Sequence, residues 1–123
     1  MTAPLAEMRA QVDAVMADWA VNCSVSRFSP GTTDAAGHLS AGTFASVATA
    51  EPIWLQAIGG SSRIRELGLD AQTTHLAFQK WSGVALQPKD RLLPSGQSVA
   101  FDVIRAHVFE SHRMAEVKQN LKS

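Results

Sequence analysis

The chain has 123 residues, of which 46% are hydrophobic, and its eleven basic and eleven acidic side chains give a formal net charge of zero. This length suits one domain with a modest core, and the neutral balance excludes a global field that would attract nucleic acid or an anionic membrane. Charged residues interrupt the first twenty positions, and no run of about 18 apolar residues occurs. We therefore expect a soluble protein without a signal peptide or a membrane span.

The first predicted element is an amphipathic helix over residues 4–18, within PLAEMRAQVDAVMADW. Its apolar residues recur at spacings of three and four, and Pro4 suits a first helical position. These apolar residues are Leu5, Met8, Val12, Val15, Met16 and Trp19. The stripe that they form must be buried either on the core of the same domain or on a neighbouring subunit, and the pattern alone allows both.

From Val21 the apolar period falls to two, which predicts a first strand. Val21, Cys23 and Val25 share one face, and asparagine and serine side chains occupy the other. The strand is expected to end in the turn-forming run SPG that begins at Ser29. Because Cys23 is the only cysteine, no internal disulfide can form, and the residue is interpreted as a buried thiol in a reducing compartment.

The next segments alternate between turn-forming runs and strands. Residues 29–42, SPGTTDAAGHLSAG, predict an exposed hairpin loop. Residues 43–58 predict one or two strands, with Pro52 either interrupting the pairing or lying at an edge. TTHLAFQKW, residues 73–81, alternates again, so that its leucine and phenylalanine share one face.

The following part of the chain contains the clearest strand pattern. LQPKDRLLPSGQ, residues 86–97, holds two prolines and a glycine and predicts a turn-rich connection. SVAFDVIRAHVF, residues 98–109, predicts a strand in which Val99, Phe101 and Val103 alternate against Asp102 and Arg105.

Residues 112–121 are ambiguous, because their propensities favour a helix while Ala115 and Val117 would also fit a strand. Short strands separated by glycine and proline predict the fold class: mainly β, a small antiparallel β-barrel or sandwich with an N-terminal α-helix and a long inter-strand loop. We expect a single domain, in which residues 1–20 form the helix and residues 21–123 the β-barrel.

HVFESH, residues 107–112, is a near match to a zinc-binding pattern. It departs from H-x-x-E-H because the additional Ser111 moves the second histidine out of register on a helix. The four histidines show no ligand spacing otherwise, and no G-x-S-x-G nucleophile elbow occurs. We expect no enzyme, no metal site and no cofactor.

The stretch IGGSSRIRELGLDAQTTH, residues 58–75, begins as a glycine loop and turns basic before a strand starts. It lacks the Lys-Ser/Thr ending of a P-loop, which argues against a phosphate cradle. A single helical turn ended by Gly68 and a long surface loop both remain open. The roughly fourteen residues of loop 59–72 are at the upper end for a compact domain, and loops of that length are often functional.

From Cys23 to Gln119 the chain resembles the phage head-tail joining family, the head closure or stopper proteins of tailed phages and gene transfer agents. The resemblance lies in the order and spacing of CSVSRFSPGTTDAAGHLSAGTF, ATAEPIWLQAI, TTHLAFQKW, KDRLLPSGQSVAFDVIR and ESHRMAEVKQ. Members of the family are small β-barrels, so the resemblance implies that residues 112–121 form a closing strand despite their helix propensity.

The resemblance implies that residues 59–72 form the loop between the second and third strands, which in the family projects into a channel and helps to retain DNA. Glycine hinges would permit two conformations, and charged side chains would meet DNA phosphate or a neighbour's carboxylate without base readout. The candidate channel residues are Gly59, Gly60, Ser61, Ser62, Arg63, Arg65, Glu66, Gly68 and Asp70.

Partners and location are also implied by the resemblance. A homo-oligomeric ring, expected to be twelvefold, would lie in the virion neck between the portal or adaptor protein and the tail terminator or tail tube protein. Packaged DNA would pass through its channel, no membrane would be involved, and assembly would take place in the bacterial host cytoplasm. The N-terminal helix has no fixed counterpart in the family. Its candidate contacts with a neighbouring subunit or the adaptor are Leu5, Met8, Val12 and Trp19.

Two other interpretations stay open. The first is another neck or tail component, such as an adaptor, a tail terminator or a tail completion protein, and a mainly helical chain would favour the adaptor. The second is a small ligand-binding or hydrolytic barrel, which would require Arg63, Arg65, His75 and His112 to converge on one pocket.

Overall fold

The computed structural model describes residues 4–33, 35–38, 42–58 and 65–120, and within them it contains one helix and six strands. These elements are α1 (Pro4–Trp19), β1 (Val21–Ser29), β2 (Thr43–Ala57), β3 (His75–Lys80), β4 (Arg91–Pro94), β5 (Ala100–Val108) and β6 (His112–Asn120). The predicted fold class, mainly β with an N-terminal helix and a long connection between two strands, is therefore confirmed.

The six strands form one closed antiparallel sheet. Their order is β1-β2-β3-β6-β5-β4, and the ring closes because β4 pairs with β1, for example at Cys23 and Pro94. Helix α1 lies outside the ring against β2 and β3. The connection between β2 and β3 follows Ala57 and ends where β3 begins at His75.

The hydrophobic core fills the inside of the closed sheet, and every strand contributes to it. Its buried members on the strands are Cys23, Val25, Ile53, Ala77, Leu92, Phe101, Val103, Ala115 and Val117. The predicted burial of Cys23 is confirmed, since its side chain has no exposed surface. Burial, assisted by the nearby charge of Glu51, raises the pKa of this thiol to about 11.

Residues His112–Asn120 form a strand, so the local preference for a helix is wrong and the strand implied by the family resemblance is correct. This segment pairs with β3 on one side and with β5 on the other. Ala115 and Val117 point into the core. Ladder bonds on both sides outweigh a propensity difference of well under about 1 kcal/mol per residue.

The predicted connection 86–97 contains a strand that the sequence pattern did not reveal. Arg91–Pro94 form β4, which closes the ring between β1 and β5. The strand is only four residues long and ends in Pro94, so it carries little periodic signal. Leu92 and Pro94 are buried and alternate with outward-facing residues, as expected for a strand.

A bulge in β5 explains why Val103 and Arg105 lie on opposite faces although they are two residues apart. The register shifts between them, so that Val103 pairs with Val117 while Arg105 pairs with Glu116. Val103 is buried and Arg105 is exposed. Val103 and Arg105 therefore lie on opposite faces, as predicted. The cause is the bulge, because simple alternation would place residues two apart on the same face.

Pro52 does not interrupt β2, which runs as a single strand from Thr43 to Ala57. At Pro52 the strand pairs with Asn22 of β1, and pairing with β3 begins only at Trp54. Pro52 therefore lies where β2 has one neighbour, which is an edge position that tolerates a missing N–H.

Helix α1 ends at Trp19 and is only lightly packed on the sheet. Met16 is its one buried side chain among the residues whose burial is described, whereas Met8, Val15 and Trp19 are exposed. The apolar stripe predicted from the sequence is thus covered only in part. No helix in the described ranges has the length and apolar character to span a bilayer.

Candidate functional site

The described part of the β2–β3 connection contains a helical segment just before Gly68. Arg65 and Glu66 are helical, and the N–H of Gly68 donates to the carbonyl of Arg65 at 3.1 Å. Gly68 has a φ of 69°, in the left-handed region that favours glycine. Of the two open interpretations of this stretch, the helical one ended by Gly68 is therefore the one that the described residues support.

A fully buried carboxylate on β6 holds this connection against the sheet. Glu116 accepts a hydrogen bond from the backbone N–H of Asp70 at 2.7 Å and a longer one from the Thr73 hydroxyl at 3.4 Å. From β5, its other oxygen contacts the guanidinium of Arg105 and the Nε2 atom of His107, the latter at 2.7 Å. One side chain therefore joins the connection, β5 and β6.

Arg105 adds a second link to the same segment. Its Nη2 atom donates to the carbonyl of Gly68 at 2.9 Å while its Nε atom pairs with Glu116. The turn at Gly68 is thus tied to the sheet through a charge-assisted hydrogen bond, which is stronger than a neutral one.

The electrostatics of this cluster favour an ionised Glu116. Burial raises the pKa of the Glu116 carboxyl, but hydrogen bonds from Arg105, from His107 and from the Asp70 N–H together outweigh burial and hold the pKa below its usual range. A charged carboxylate is the form that accepts from all of these donors, so ionisation and anchoring depend on each other.

Residues 70–74 continue the anchoring toward β3. The side chain of Asp70 accepts from the Gln72 N–H at 2.9 Å, which closes a local turn. The Thr74 N–H donates to the Val117 carbonyl at 3.0 Å, and the Thr74 hydroxyl accepts from the Gln119 N–H at 2.7 Å. The half of the connection next to β3 is therefore fixed to β6 along its length.

The channel residues predicted from the sequence fall into two groups. The first group lies outside the described residues and consists of Gly59, Gly60, Ser61, Ser62 and Arg63.

Among the others, Arg65 and Glu66 are exposed. Gly68 and Asp70 are bound by Arg105 and Glu116, and we call this set of contacts the anchor. Asp70 therefore takes part in the fold of its own connection, and its role as a carboxylate for a neighbour's arginine stays a prediction.

Glu116, Arg105 and His107 are the site residues that sequence reasoning missed. A lone glutamate between Ala115 and Val117 gives no sign of burial, since alternation predicts the opposite face from its buried neighbours. No sequence pattern indicates the bulge that brings Arg105 beside Glu116.

Two other buried carboxylates secure the β3–β4 connection. Glu51 accepts from the side chain of Gln79 and from the Val84 N–H, each at 3.2 Å. Asp90 pairs with Arg27 at 3.0 Å. These contacts satisfy buried charges and fix the turn before β4, and we assign them a structural role.

The predicted contact residues of α1 border a groove between the helix and the sheet. Leu5 and Val12 are half-buried, while 45% of Met8 and 63% of Trp19 remain exposed. The groove has a volume of about 330 Å³, and its apolar lining is Met8, Val12, Val15, Met16, Trp54 and Phe78. The helix therefore leaves an unfilled apolar surface.

Arg9 fastens the N-terminal half of α1 to the sheet. Its guanidinium lies 3.6 Å from the ring centroid of Trp81, and its Nε atom donates to the Glu110 carbonyl at 2.9 Å. Trp19 packs against Trp54 at the other end of the helix, with ring centroids 6.1 Å apart. These contacts fix the helix orientation, although little of the helix is buried.

The residues required for a ligand-binding or hydrolytic pocket do not converge. His75 begins β3, whereas His112 pairs with Lys80 at its end, about 17 Å away at the usual rise of a strand. The His75 ring contacts the Phe101 ring edge-to-face, with the centroids 4.9 Å apart. Arg63 lies outside the described residues, and within them no three His, Cys, Asp or Glu side chains are placed to hold a metal ion.

Comparison with known proteins finds no matching family model, no matching curated protein and no matching solved structure.

Proposed function

We propose that the protein is a structural component of a virion neck, a ring-forming head closure protein that joins the portal or adaptor to the tail and helps to retain packaged DNA. The observation that carries the proposal is the β2–β3 connection. It is long, it lies where the family resemblance requires a channel loop, and its β3 half is anchored by Glu116 and Arg105. A loop that projects from a ring needs such a fixed base.

The proposed contact with DNA is electrostatic and does not read sequence. Arg65 and Glu66 are exposed at the start of the anchored segment. Because a ring multiplies each local charge by its copy number, a chain of zero net charge can still present a circle of arginines to phosphate. No catalytic step is required for this role.

The proposed partners follow from the position in the neck. Copies of this chain form the ring, expected to be twelvefold, with the portal or adaptor on one side and the tail terminator or tail tube on the other. Leu5, Met8, Val12 and Trp19 on α1 are the proposed contact with a neighbouring subunit or the adaptor, because this helix is only partly covered by its own sheet.

The strand-rich fold also bears on the alternative neck and tail components. One helix and six strands in the described residues argue against a mainly helical adaptor. A tail terminator or a tail completion protein remains the second candidate, and its position along the neck distinguishes it from a head closure protein.

A loop replacement in the assembling particle tests the proposal. Residues 59–66 are replaced by a short Gly-Ser linker, which keeps the anchor at Gly68 and Asp70. The matched control replaces residues 34–40 of the β1–β2 loop. We expect both chains to fold, by circular dichroism, and only the first to lose nuclease-protected DNA or attached tails.

Normal DNA retention and tail joining by the first variant would contradict the channel loop. Electron microscopy of the wild-type particle tests the wider proposal, because a position other than a ring coaxial with the portal would contradict the head closure assignment.

A further inference from the structure

The exposed side of α1 is both acidic and apolar. Glu7, Asp13 and Asp18 are exposed, and the helix's one basic residue, Arg9, is engaged with Trp81. Exposed Met8, Val15 and Trp19 lie within about 120° of Glu7 and Asp18 around the helix axis, whereas Asp13 lies about 140° from Asp18. We call the surface formed by Glu7, Met8, Val15, Asp18 and Trp19 the α1 face.

Asp18 lies where a cation supplied by another molecule would stabilise the helix. Asp18 lies in the last turn of α1, which contains no basic residue. The C-terminal end of a helix carries partial negative charge, so a carboxylate there is destabilising unless a cation approaches. Within the described residues, no ion pair supplies that cation.

A second exposed surface combines aromatic rings with basic side chains. We call it the β4 face, and its residues are Phe28, Phe44, Lys89, Arg91 and Leu93. Arg91 lies 4.3 Å from the ring centroid of Phe44, and Lys89 lies 5.9 Å from that of Phe28. Phe44 and Leu93 are 41% and 38% exposed, and the two rings and two cations line a cleft of about 350 Å³ together with Asp102. Because Asp102 pairs with Arg91 at 3.0 Å, Lys89 supplies the uncompensated positive charge of this face.

Lys89, on the β4 face, has a backbone conformation that lysine seldom adopts. Its φ is 74°, the one positive value of a non-glycine residue in the described ranges. Its N–H donates to the Val103 carbonyl at 2.8 Å, and the Val103 N–H donates to the Asp90 carbonyl at 2.8 Å. These two bonds fix the backbone of the turn, so the exposed side chain of Lys89 starts from a defined position on the β4 face.

Part of the β4 face lies across the closed sheet from α1. In the strand order, β3 is opposite β4, and α1 packs on β2 and β3, so that Arg91 and Leu93 of β4 are far from the helix, whereas Phe44 lies near the start of β2. A head-to-tail ring requires two different surfaces of one subunit that are complementary in character. The α1 face carries exposed carboxylates, the β4 face carries the charge of Lys89, and both carry exposed apolar side chains.

We infer that the α1 face of one copy docks on the β4 face of the next copy. Asp18 faces Lys89 in this contact, and Val15 meets Leu93. The occupant of both surfaces is a second copy of this chain, and the inference rests on the proposed ring-forming function. Repetition of the contact closes the ring without any additional protein.

Disulfide cross-linking of the purified chain tests the contact. We expect the variant carrying both Val15→Cys and Leu93→Cys to give a ladder of covalent oligomers on a non-reducing gel under mild oxidation. Each single variant alone should stay monomeric, because a head-to-tail contact never brings two copies of the same position together. Native Cys23 is fully buried and adds no background. The matched control pairs Val15→Cys with Val108→Cys, since Val108 is 64% exposed and lies on neither face.

Charge exchange provides a second test. We expect Asp18→Lys in one variant, and Lys89→Glu in another, each to weaken self-association about tenfold or more, and a mixture of the two variants to restore it. Sedimentation velocity over a concentration series measures the change.

The outcomes that overturn the contact are distinct from those that overturn the proposed function. Dimers from Val15→Cys alone would show a symmetric helix pair, and an equal ladder from the Val108→Cys control would show random collision. Rings seen by electron microscopy without these cross-links would overturn the contact and leave the proposed ring in place. The absence of rings, both in solution and in the particle, would contradict the proposed function itself.

Discussion

The carboxylate of Glu116, fully buried on β6, accepts a hydrogen bond of 2.7 Å from the backbone N–H of Asp70 in the β2–β3 connection. The two residues are 46 positions apart in the chain. A buried charge is thus used to fix a long surface segment, and the same carboxylate is stabilised by Arg105 and His107. The position of the proposed channel loop and the stability of the sheet are therefore coupled through one side chain.

Glu116→Gln should lower the free energy of unfolding by about 1–3 kcal/mol. The amide can still accept from the Asp70 N–H, but its other end would present an NH₂ group to Arg105 and His107, which leaves those donors poorly matched. Both are partly exposed, so water compensates some of the loss. Urea denaturation measures the change.

The control for that substitution is Glu110→Gln, at an exposed position in the turn between β5 and β6. It should change stability by less than about 0.5 kcal/mol. Equal, small effects of the two substitutions would show that Glu116 does not hold the fold.

The low pKa of Glu116 predicts a specific pH dependence. Because the folded-state pKa is below the ordinary value of 4.5, the carboxylate contributes stability that is fully present above pH 4.5 and is lost as the pH falls through the lower folded value. Wild type should therefore lose more stability than Glu116→Gln between pH 5.5 and pH 3.5.

Urea titrations of both chains at several pH values test this difference. Burial lowers the pKa of His75, which also makes the fold less stable in acid, but that effect is common to both chains and cancels. Parallel pH profiles would mean that Glu116 gains nothing from its charge.

Arg105→Gln should free the turn at Gly68 with a smaller effect on global stability. The substitution removes the hydrogen bond to the Gly68 carbonyl, whereas the Asp70 N–H keeps its bond to Glu116. We expect trypsin to cleave after Arg65 a few times faster under native conditions, because local opening governs cleavage of a folded chain. Cleavage after exposed Arg65 at the wild-type rate would show that the turn does not depend on Arg105.

The Cys23 thiol should be almost inert in the folded protein. A pKa of about 11 lowers the reactive thiolate fraction near pH 8 by about a hundredfold relative to an ordinary thiol, and full burial lowers access further. Reaction with an aromatic disulfide reagent should be fast only after unfolding. Ser82→Cys, at an exposed turn position, is the positive control, and rapid reaction of Cys23 in the native chain would show that β1 opens readily.

The elements that could be predicted from sequence are those whose signal is local. Helix α1 and strand β1 have clear periods over many residues, and their observed bounds agree with the prediction to within one residue. β4 has four residues and a terminal proline, so its existence depends on closing the ring, which no window of sequence contains. β6 also depends on tertiary context, because its hydrogen bonds to β3 and β5 outweigh its local preference for a helix.

The anchor was not predictable, because it is made by contacts across the fold. Glutamate is usually solvent-exposed, and only the bulge after Val103 brings Arg105 beside Glu116. The turn at Gly68, in contrast, was visible as an open possibility, since glycine at a helix end is a local signal. Sequence thus located the segment of interest, and the structure supplied what holds it in place.

Asp18→Asn should raise the stability of the monomer and weaken its self-association. The carboxylate lies at the negative end of the α1 dipole without a described cation beside it, so its removal should raise Tm by about 1–4 °C at low protein concentration. If Asp18 meets Lys89 of a neighbouring copy, the same change removes an attraction between copies, and the two effects have opposite signs.

Glu7→Gln is the matched control, because Glu7 lies in the first turn of the same helix, where a carboxylate is favourable. It should lower Tm by a similar small amount. Thermal unfolding at micromolar concentration and sedimentation at high concentration separate the two quantities. A gain in stability for Asp18→Asn without loss of self-association would mean that Asp18 is a tolerated defect of the helix, with no part in the contact between copies.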